Sequence, residues 1–190
     1  MRIVLASASP RRRELLSQLG LEFEVCVSSA GEAEGADPIE TARQAALAKV
    51  SEVASKVPDA LVIGADTIVV IDGEILGKPT NPSEAEAMLK KLKGKAHRVI
   101  TGVAIVDGSG KKVVDHEDTT VFFADLSEDE VRSYRESGEG ADKAGAYAIQ
   151  GLGALFIPRI EGSYSNVVGL PLAKLHEMLK EFGIDLLTRG

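Results

Sequence analysis

The start of the chain constrains the fold most, because a short strand is followed at once by a helix. Ile3–Leu5 is an apolar run of strand length. Ser9 stands where a helix N-cap is expected, and Pro10 occupies the first helical position, where proline is well tolerated. A strand that leads through a short polar turn into a capped helix is typical of α/β proteins. The sequence therefore predicts an α/β fold.

Three consecutive arginines, Arg11 to Arg13, fall in the first turn of that predicted helix. A helix N-terminus already carries partial positive charge and unpaired N–H groups, so cations are unfavourable there unless an anion binds. Arginine forks bind phosphate oxygens two at a time. For a single arginine, solvation or pairing with a nearby acid such as Glu14 is the favoured explanation. The cluster that also contains Ser7 and Ser9 predicts phosphate binding.

The rest of the chain continues the alternation of strands and helices. Ala60–Ala65 is wholly apolar, as in a strand covered on both faces of a sheet. Asp72-Gly73 separates two strand-like segments and predicts a hairpin. Three helix starts are predicted by a capping residue followed three positions later by glutamate, at Asp37, Asn81 and Ser127.

Two further strands are predicted at Glu22–Val27 and Leu155–Ile160. A helix is predicted near the end of the chain, where Leu172, Leu175 and Leu179 share one face. No repeat or low-complexity linker marks a boundary, so we expect one domain over residues 1–190.

Composition excludes several functional classes. The formal net charge is −7 over 190 residues, which argues against a protein that binds nucleic-acid polymers through their backbone. Cys26 is the only cysteine, so an intramolecular disulfide is impossible and a cytoplasmic location is expected. Ala6–Pro10 is small and polar where a signal peptide would be apolar, and no apolar run reaches about 20 residues. We therefore expect no role for a membrane.

Asp66 is the first candidate for chemistry. It follows the apolar run at its predicted end, and the carboxyl ends of strands are where open α/β sheets bind ligands. A carboxylate there can hold a divalent metal, or orient or deprotonate a water molecule. The alternative is an aspartate that caps a turn with Thr67. Lys78, held between Gly77 and Pro79, is either a phosphate contact or an ordinary solvated lysine.

Three other polar residues carry weaker signals. Lys49 flanks the apolar stripe of the helix that begins after Asp37, and solvent exposure is its default interpretation. Glu32 lies in a polar loop and offers a second carboxylate for a metal, although many loop glutamates have no such role. Gln150 lies between glycine and apolar residues, where its amide either reads a base edge or faces water.

Four segments together resemble the Maf family of nucleoside triphosphate pyrophosphatases: ASASPRRRELL, GADTIVVIDGEILGKP, KAGAYAIQGLGALFI and GSYSNVVGLPL. The resemblance covers essentially the whole chain in the same order. It implies a two-lobed α/β fold with a mixed sheet flanked by helices, similar to inosine-triphosphate pyrophosphatases, with a central nucleotide cleft. It also implies a homodimer that hydrolyses a nucleoside triphosphate to the monophosphate and pyrophosphate with a divalent metal, Mg²⁺ or Mn²⁺.

The same resemblance assigns roles to individual residues. Asp66 matches the family's proton acceptor and, with Glu32, its metal ligands. Thr67, Arg11 and Gln150 resemble the branch that acts on dTTP and UTP rather than on 7-methyl-GTP. The phosphate-binding positions of the family fall on Ser7, Ser9, Arg11, Arg12, Lys49 and Lys78.

Two alternatives remain beside the dTTP/UTP assignment. One is a 7-methyl-GTP pyrophosphatase, and the other is a nucleotide-binding regulator linked to cell division that does not turn its ligand over. Asp66 favours an enzyme, because a regulator does not need a carboxylate that activates water.

Overall fold

The computed structural model describes residues 2–31, 35 and 37–188. It begins as the sequence predicts, with strand β1 (Arg2–Leu5) and helix α1 (Pro10–Ser17). Ser9 is the N-cap, and its hydroxyl accepts a hydrogen bond from the backbone N–H of Arg12 at 3.4 Å. The short turn between β1 and α1 is thus fixed by local chemistry.

The remaining elements follow in chain order. They are β2 (Glu24–Val25), α2 (Pro38–Lys56), β3 (Ala60–Ile71), β4 (Glu74–Leu76), α3 (Pro82–Leu92), β5 (Ala96–Val106), β6 (Lys112–Phe122), α4 (Glu128–Ser137), β7 (Arg159–Glu161), α5 (Tyr164–Val168) and α6 (Leu172–Lys180). Two 3₁₀ helices, Ala144–Ala146 and Gly151–Phe156, lie between α4 and β7. No helix in the described part of the chain is long and apolar enough to span a membrane.

Within the described residues, seven strands form one sheet in the order β2-β1-β3-β5-β6-β7, with β4 paired to β3. Strand β1 pairs in parallel with β2 and β3, whereas β4 and β7 pair antiparallel with β3 and β6. The predicted hairpin is confirmed, since Asp72 and Gly73 both have positive φ, at 52° and 78°. The sheet is therefore mixed, as expected.

The chain divides into two compact units. The first contains Met1–Asp66, Thr101–Glu117 and Gly169–Gly190, and the second contains Thr67–Ile100 and Asp118–Val168. The first division falls inside β3, between two residues of a continuous strand. Because this division lies inside a strand, no Pro-, Gly- or Ser-rich linker separates the units there, and the sequence gives no sign of the boundary.

In the first unit, α2 packs closely on the sheet. Val50 and Val53 of α2 are buried against Val4 and Val62 of the parallel strands. Full burial of each valine contributes about 1.5–3 kcal/mol. Gly64 permits the close approach, because a Cβ at this position would lie 2.6 Å from a methyl group of Val50. The side chains along α2 are thereby brought near the centre of β3.

In the second unit, aromatic rings form the core. Phe123 contacts Tyr147 and Phe156 edge to face, with ring centroids 4.7 and 5.1 Å apart. His97 packs against the same cluster, and its Nε2 lies 2.7 Å from the hydroxyl of Tyr147. Burial lowers the pKa of His97 to about 4, so the ring is neutral at physiological pH.

Two strand predictions need correction. The segment Glu22–Val27 forms a strand only at Glu24–Val25. Leu155–Ile160 is not a strand: the 3₁₀ helix runs to Phe156, and β7 begins at Arg159. Short apolar runs do not distinguish strand from helix, and here Leu155 is 83% exposed while only Phe156 enters the aromatic core.

Candidate functional site

Asp66 lies inside β3, not at its end as predicted. Parallel pairing with β1 stops at Ile63, the partner of Leu5, but β3 continues to Ile71 because its second half pairs with β4. Asp66 thus follows the parallel segment without ending the strand. The alternative that Asp66 caps a turn with Thr67 is also wrong, because the backbone there is extended.

Lys49 and Asp66 form a partly buried ion pair. The ammonium group of Lys49, on α2, donates to Oδ1 of Asp66, and the two side chains are 19% and 12% exposed. The expectation of a solvent-exposed lysine is therefore wrong: the close packing of α2 lets the long side chain reach the strand. Desolvation makes such a pair contribute little net stability, but removing one partner leaves an uncompensated charge.

The first turn of α1 carries a second cation that interacts electrostatically with Asp66. The guanidinium of Arg12 donates from Nε to the backbone carbonyl of Gly169 at 2.7 Å and from Nη1 to the Ser7 hydroxyl at 3.4 Å. Burial lowers the pKa of Arg12, while the nearby Asp66 carboxylate raises it and Arg11 lowers it further. An arginine remains protonated at physiological pH under such shifts, so a positive charge is held in place beside Asp66.

Ser7 is buried and joins the turn to Arg12. Its hydroxyl oxygen accepts hydrogen bonds from the Ser9 backbone N–H at 3.2 Å and from Arg12. Because a hydroxyl has one proton of its own, Ser7 can still donate to an anion. Arg11 is half-buried, whereas Arg13 is exposed.

The predicted residues of the second unit lie in different surroundings. Thr67 is a half-buried residue of β3, and Lys78 is exposed in the segment after β4. The carbonyl of Gly77, next to Lys78, accepts the backbone N–H of Gly145 at 3.0 Å. Gln150 is the N-cap residue of the 3₁₀ helix that begins at Gly151.

The structure thus divides the predicted residues between the two units. Ser7, Ser9, Arg11, Arg12, Lys49 and Asp66 belong to the first unit, and Thr67, Lys78 and Gln150 belong to the second. Of these, the contacts described above join Ser7, Ser9 and Arg12 to one another and Lys49 to Asp66.

A metal has one carboxylate available among the described site residues, that of Asp66. Glu32 lies outside the described residues. Residues 2–31, 35 and 37–188 contain no group of three or more His, Cys, Asp or Glu side chains that would hold a metal ion. Mg²⁺ is commonly bound through one or two carboxylates together with substrate phosphates and waters. Asp66 therefore fits a cation that binds with its phosphate substrate.

Two residues that hold the candidate site in place are not predicted from the sequence. The carbonyl of Gly169 holds Arg12, although the two are far apart in the chain. Glu52 of α2 accepts hydrogen bonds from the Ser28 hydroxyl at 2.5 Å, from the N–H and hydroxyl of Ser29 at 2.9 and 2.8 Å, and from the Ala30 N–H at 2.8 Å. These contacts tie the polar loop to α2. Only the two adjacent serines hint at them in the sequence, and nothing points to Glu52.

The fold has a counterpart among solved structures. The Ham1 protein of Staphylococcus aureus superposes with a TM-score of 0.56 at 15% sequence identity, over 96% of this chain and 100% of that chain. At this identity the likeness concerns the fold alone. It confirms the α/β class with a mixed sheet flanked by helices that the sequence predicts.

Sequence relatives are much closer. A dTTP/UTP pyrophosphatase of Pelotomaculum thermopropionicum is 53% identical over 188 residues, which are 97% of this chain and 98% of the relative. Another from Symbiobacterium thermophilum is 51% identical over 190 residues, 99% of this chain and 97% of the relative. The family described as Maf-like protein matches residues 2–182. The chain therefore belongs to the Maf-like protein family.

Proposed function

We propose that this chain is a nucleoside triphosphate pyrophosphatase that hydrolyses dTTP and UTP to the monophosphate and pyrophosphate. One observation carries the chemistry: Asp66 is a largely buried carboxylate in contact with Lys49 and beside Arg12. Cations of this kind bind phosphate oxygens, and the carboxylate among them can activate water. The substrate is proposed from the relatives that carry this name at about half identity.

The phosphate-binding role falls on the turn after β1, on the first turn of α1 and on two lysines. Arg11 and Arg12 offer guanidinium donors, and the Ser7 hydroxyl offers a proton to a phosphate oxygen. Ser9 holds the N-terminus of α1 in place through its cap. Lys49 and Lys78 add positive charge that offsets the negative charge developing on the phosphates in the transition state.

Asp66 is the proposed general base. Its Oδ1 accepts a hydrogen bond from Lys49, and its Oδ2 is the oxygen proposed to take the proton. In the proposed step, a water oxygen bonds to the α-phosphorus while its proton passes to Oδ2. The bond from the α-phosphorus to the bridging oxygen breaks, and pyrophosphate leaves. Asp66 with Glu32 would hold a divalent cation, Mg²⁺ or Mn²⁺, which supplies charge neutralisation at the phosphate oxygens when bound.

Substrate choice is assigned to Thr67, Arg11 and Gln150. The amide of Gln150 carries both a donor and an acceptor. The Watson–Crick edge of uracil and thymine likewise presents an N–H donor beside carbonyl acceptors, so one amide can match both groups. The amide therefore fits the bases of dTTP and UTP, and the choice of a pyrimidine is proposed from the relatives that carry this name.

The test is pyrophosphate release from a panel of dTTP, UTP, CTP, GTP and 7-methyl-GTP with Mg²⁺ or Mn²⁺. We expect selective turnover of dTTP and UTP, reduced about 100-fold or more in Asp66→Asn. Asp59→Asn is the matched control, since Asp59 is an exposed aspartate paired with Arg2. Turnover of 7-methyl-GTP alone would overturn the substrate assignment, and binding without turnover would favour a regulator.

Several expectations stay predictions at this point. They are the single domain over residues 1–190, the homodimer, action on free nucleotides rather than on nucleic-acid polymers, and the cytoplasmic location. Sedimentation of the purified protein tests the homodimer directly.

A further inference from the structure

A carboxylate distant in sequence holds the start of the 3₁₀ helix Gly151–Phe156. Glu139, which follows α4, accepts hydrogen bonds from the backbone N–H groups of Leu152 at 2.8 Å and Gly153 at 2.9 Å. These are N–H groups of the first turn, which have no partner inside a helix. Glu139 therefore does what an N-cap side chain usually does.

The N-cap residue itself does not perform this task. Gln150 occupies the N-cap position, but its side chain makes no capping hydrogen bond. The residue is half-buried. Because Glu139 satisfies the helix N-terminus, the Gln150 amide is available to bind something else.

Tyr134 extends the support to the other side of Gln150. Its hydroxyl donates to Glu139 at 3.0 Å and accepts the backbone N–H of Ala148, also at 3.0 Å. The Tyr134 ring is buried and packs edge to face on Phe156, with centroids 4.8 Å apart. The backbone is thus fixed two residues before Gln150 and two residues after it.

Gly151 has the backbone that this arrangement needs. Its φ is +65°, a conformation that favours glycine, and a Cβ at this position would collide with the carboxylate of Glu139. The carboxylate is also kept charged. Burial raises the pKa of Glu139, but the N–H groups of Gly153 and Leu152 and the Tyr134 hydroxyl lower it, and the net direction is downward.

We infer that Glu139 is a positioning residue for base discrimination: with Tyr134 it fixes the backbone on both sides of Gln150 and leaves the Gln150 amide to face the pyrimidine. The inference rests on the proposed function, which makes Gln150 the base-side residue. Glu139 itself touches no substrate in this scheme. Its loss should change which base is accepted more than how fast the phosphate bond breaks.

The principal test compares Glu139→Gln with Glu136→Gln, a matched change at an exposed glutamate of α4 that pairs with Arg135. In Glu139→Gln an NH₂ group replaces one acceptor oxygen and faces a donor. We expect KM for dTTP to rise about tenfold, equivalent to about 1.4 kcal/mol, with kcat changed less than about twofold. The preference for dTTP over dCTP, measured as the ratio of kcat/KM values, should fall by a similar factor. Glu136→Gln should leave this ratio unchanged.

Tyr134→Phe keeps the test usable if Glu139→Gln folds poorly. It removes one hydroxyl and retains the ring that packs on Phe156. We expect the same direction of change in the dTTP to dCTP ratio, about threefold, with a thermal midpoint close to that of the parent protein. An unchanged ratio in a folded Tyr134→Phe protein would count against the inference.

Gln150→Ala distinguishes the proposed role of Gln150 in base binding from the role of Glu139 in positioning it. We expect it to reduce the dTTP to dCTP preference, and we expect Glu139→Gln to add no further loss in that background, because both changes act through one amide. If Gln150→Ala reduces the preference and Glu139→Gln does not, the inference fails while the proposed function stands. If Gln150→Ala leaves the preference intact, the base-side role of Gln150 fails, and the inference fails with it.

Discussion

The residues proposed to bind phosphate and those proposed to bind the base are held in different ways. In the first unit, Lys49 and Asp66 project from a regular helix and a regular strand and contact each other directly. In the second unit, Gln150 lies in the Gly-rich segment Gly138–Gly153, whose backbone after Gln150 is fixed by the carboxylate of Glu139. In the proposed site, charge is placed by secondary structure, whereas the proposed base-reading residue lies in a segment that a distant carboxylate supports. Loss of the Lys49–Asp66 pair should therefore lower kcat, and loss of the contacts that Glu139 makes around Gln150 should alter KM and selectivity.

Lys49→Met should disrupt the Lys49–Asp66 pair and give the largest loss of kcat among the variants proposed here. The substitution keeps the length of the side chain but leaves the Asp66 carboxylate, 12% exposed, without its cation. It also removes a charge that stabilises the transition state, so we expect kcat to fall about 100-fold or more. Pyrophosphate release under saturating dTTP measures the effect.

The controls for Lys49→Met are Lys49→Arg and Lys56→Gln. Arginine keeps the positive charge and should recover part of the rate. Lys56 is a half-exposed lysine on the same helix, paired with Glu52, and its loss should leave kcat nearly unchanged. A Lys49→Met protein that keeps more than about a third of the parental kcat would contradict the role of the ion pair.

The Lys49–Asp66 contact also marks the limit of what the sequence predicts. Helix starts depend on neighbouring residues, so the caps at Ser9, Asn81 and Ser127 are predicted correctly. The approach of α2 to β3 depends instead on packing across the sheet. A lysine at the edge of an apolar stripe therefore reads as exposed until the tertiary structure is known.

The Gly-rich segment shows the same limit more sharply. The apolar residues that follow it predict a strand at Leu155–Ile160, but a 3₁₀ helix that begins at Gly151 runs to Phe156, and its first N–H groups bind a distant carboxylate. Glu139 is separated from them by more than ten residues, and no local spacing rule connects them. Gln150 is recognised by resemblance, whereas the residue that supports it is found only in the structure.

Acidification should act on the core of the second unit more than on the core of the first. The second unit buries His97, whose pKa burial lowers from 6.5 to about 4, while the apolar cluster of the first unit around Val50 and Val62 has no ionisable member among the described residues. A depressed histidine pKa means that the unfolded chain binds the proton first as the pH falls. The stability that neutral His97 provides is therefore complete above about pH 6.5 and is lost progressively towards pH 4, by about 3 kcal/mol at most.

His97→Phe tests this directly, because phenylalanine can keep the edge-to-face contacts with Phe123 and Tyr147. Urea unfolding at pH 7.5, 5.5 and 4.5 should give a smaller loss of unfolding free energy in the variant than in the parent protein. His116→Phe, at a half-buried histidine of the first unit, is the matched control. Equal pH dependence in the parent protein and His97→Phe would contradict the prediction.

Arg12→Lys tests the proposed phosphate site, and we expect an intermediate loss of kcat/KM. Lysine keeps the charge but loses the planar fork, and its three N–H groups leave at most one for a phosphate when the Gly169 carbonyl and the Ser7 hydroxyl are both bound. We expect kcat/KM for dTTP to fall about 10- to 30-fold, from the loss of one or two charge-assisted hydrogen bonds. Arg13→Lys is the matched control at the next, exposed arginine, and equal losses in both variants would remove Arg12 from the phosphate site.

Glu52→Gln should give the smallest effect, and it tests whether the first unit also depends on a supported loop. Glu52 accepts hydrogen bonds from Ser28, Ser29 and Ala30, and the loop continues along the chain to Glu32, the proposed second metal ligand. An amide keeps only one acceptor oxygen, so the loop should be held less tightly. We expect the Mn²⁺ concentration for half-maximal activity to rise about threefold, with kcat at saturating metal unchanged, as for the loss of a fraction of one hydrogen bond.

Lys56→Gln is the control, because it removes the other partner of Glu52 without changing the loop, so it should leave the metal dependence unchanged. If both variants shift the metal dependence equally, the contacts of Glu52 with the loop are not the cause, because Lys56→Gln leaves those contacts in place. Base reading alone would then depend on external support of a loop.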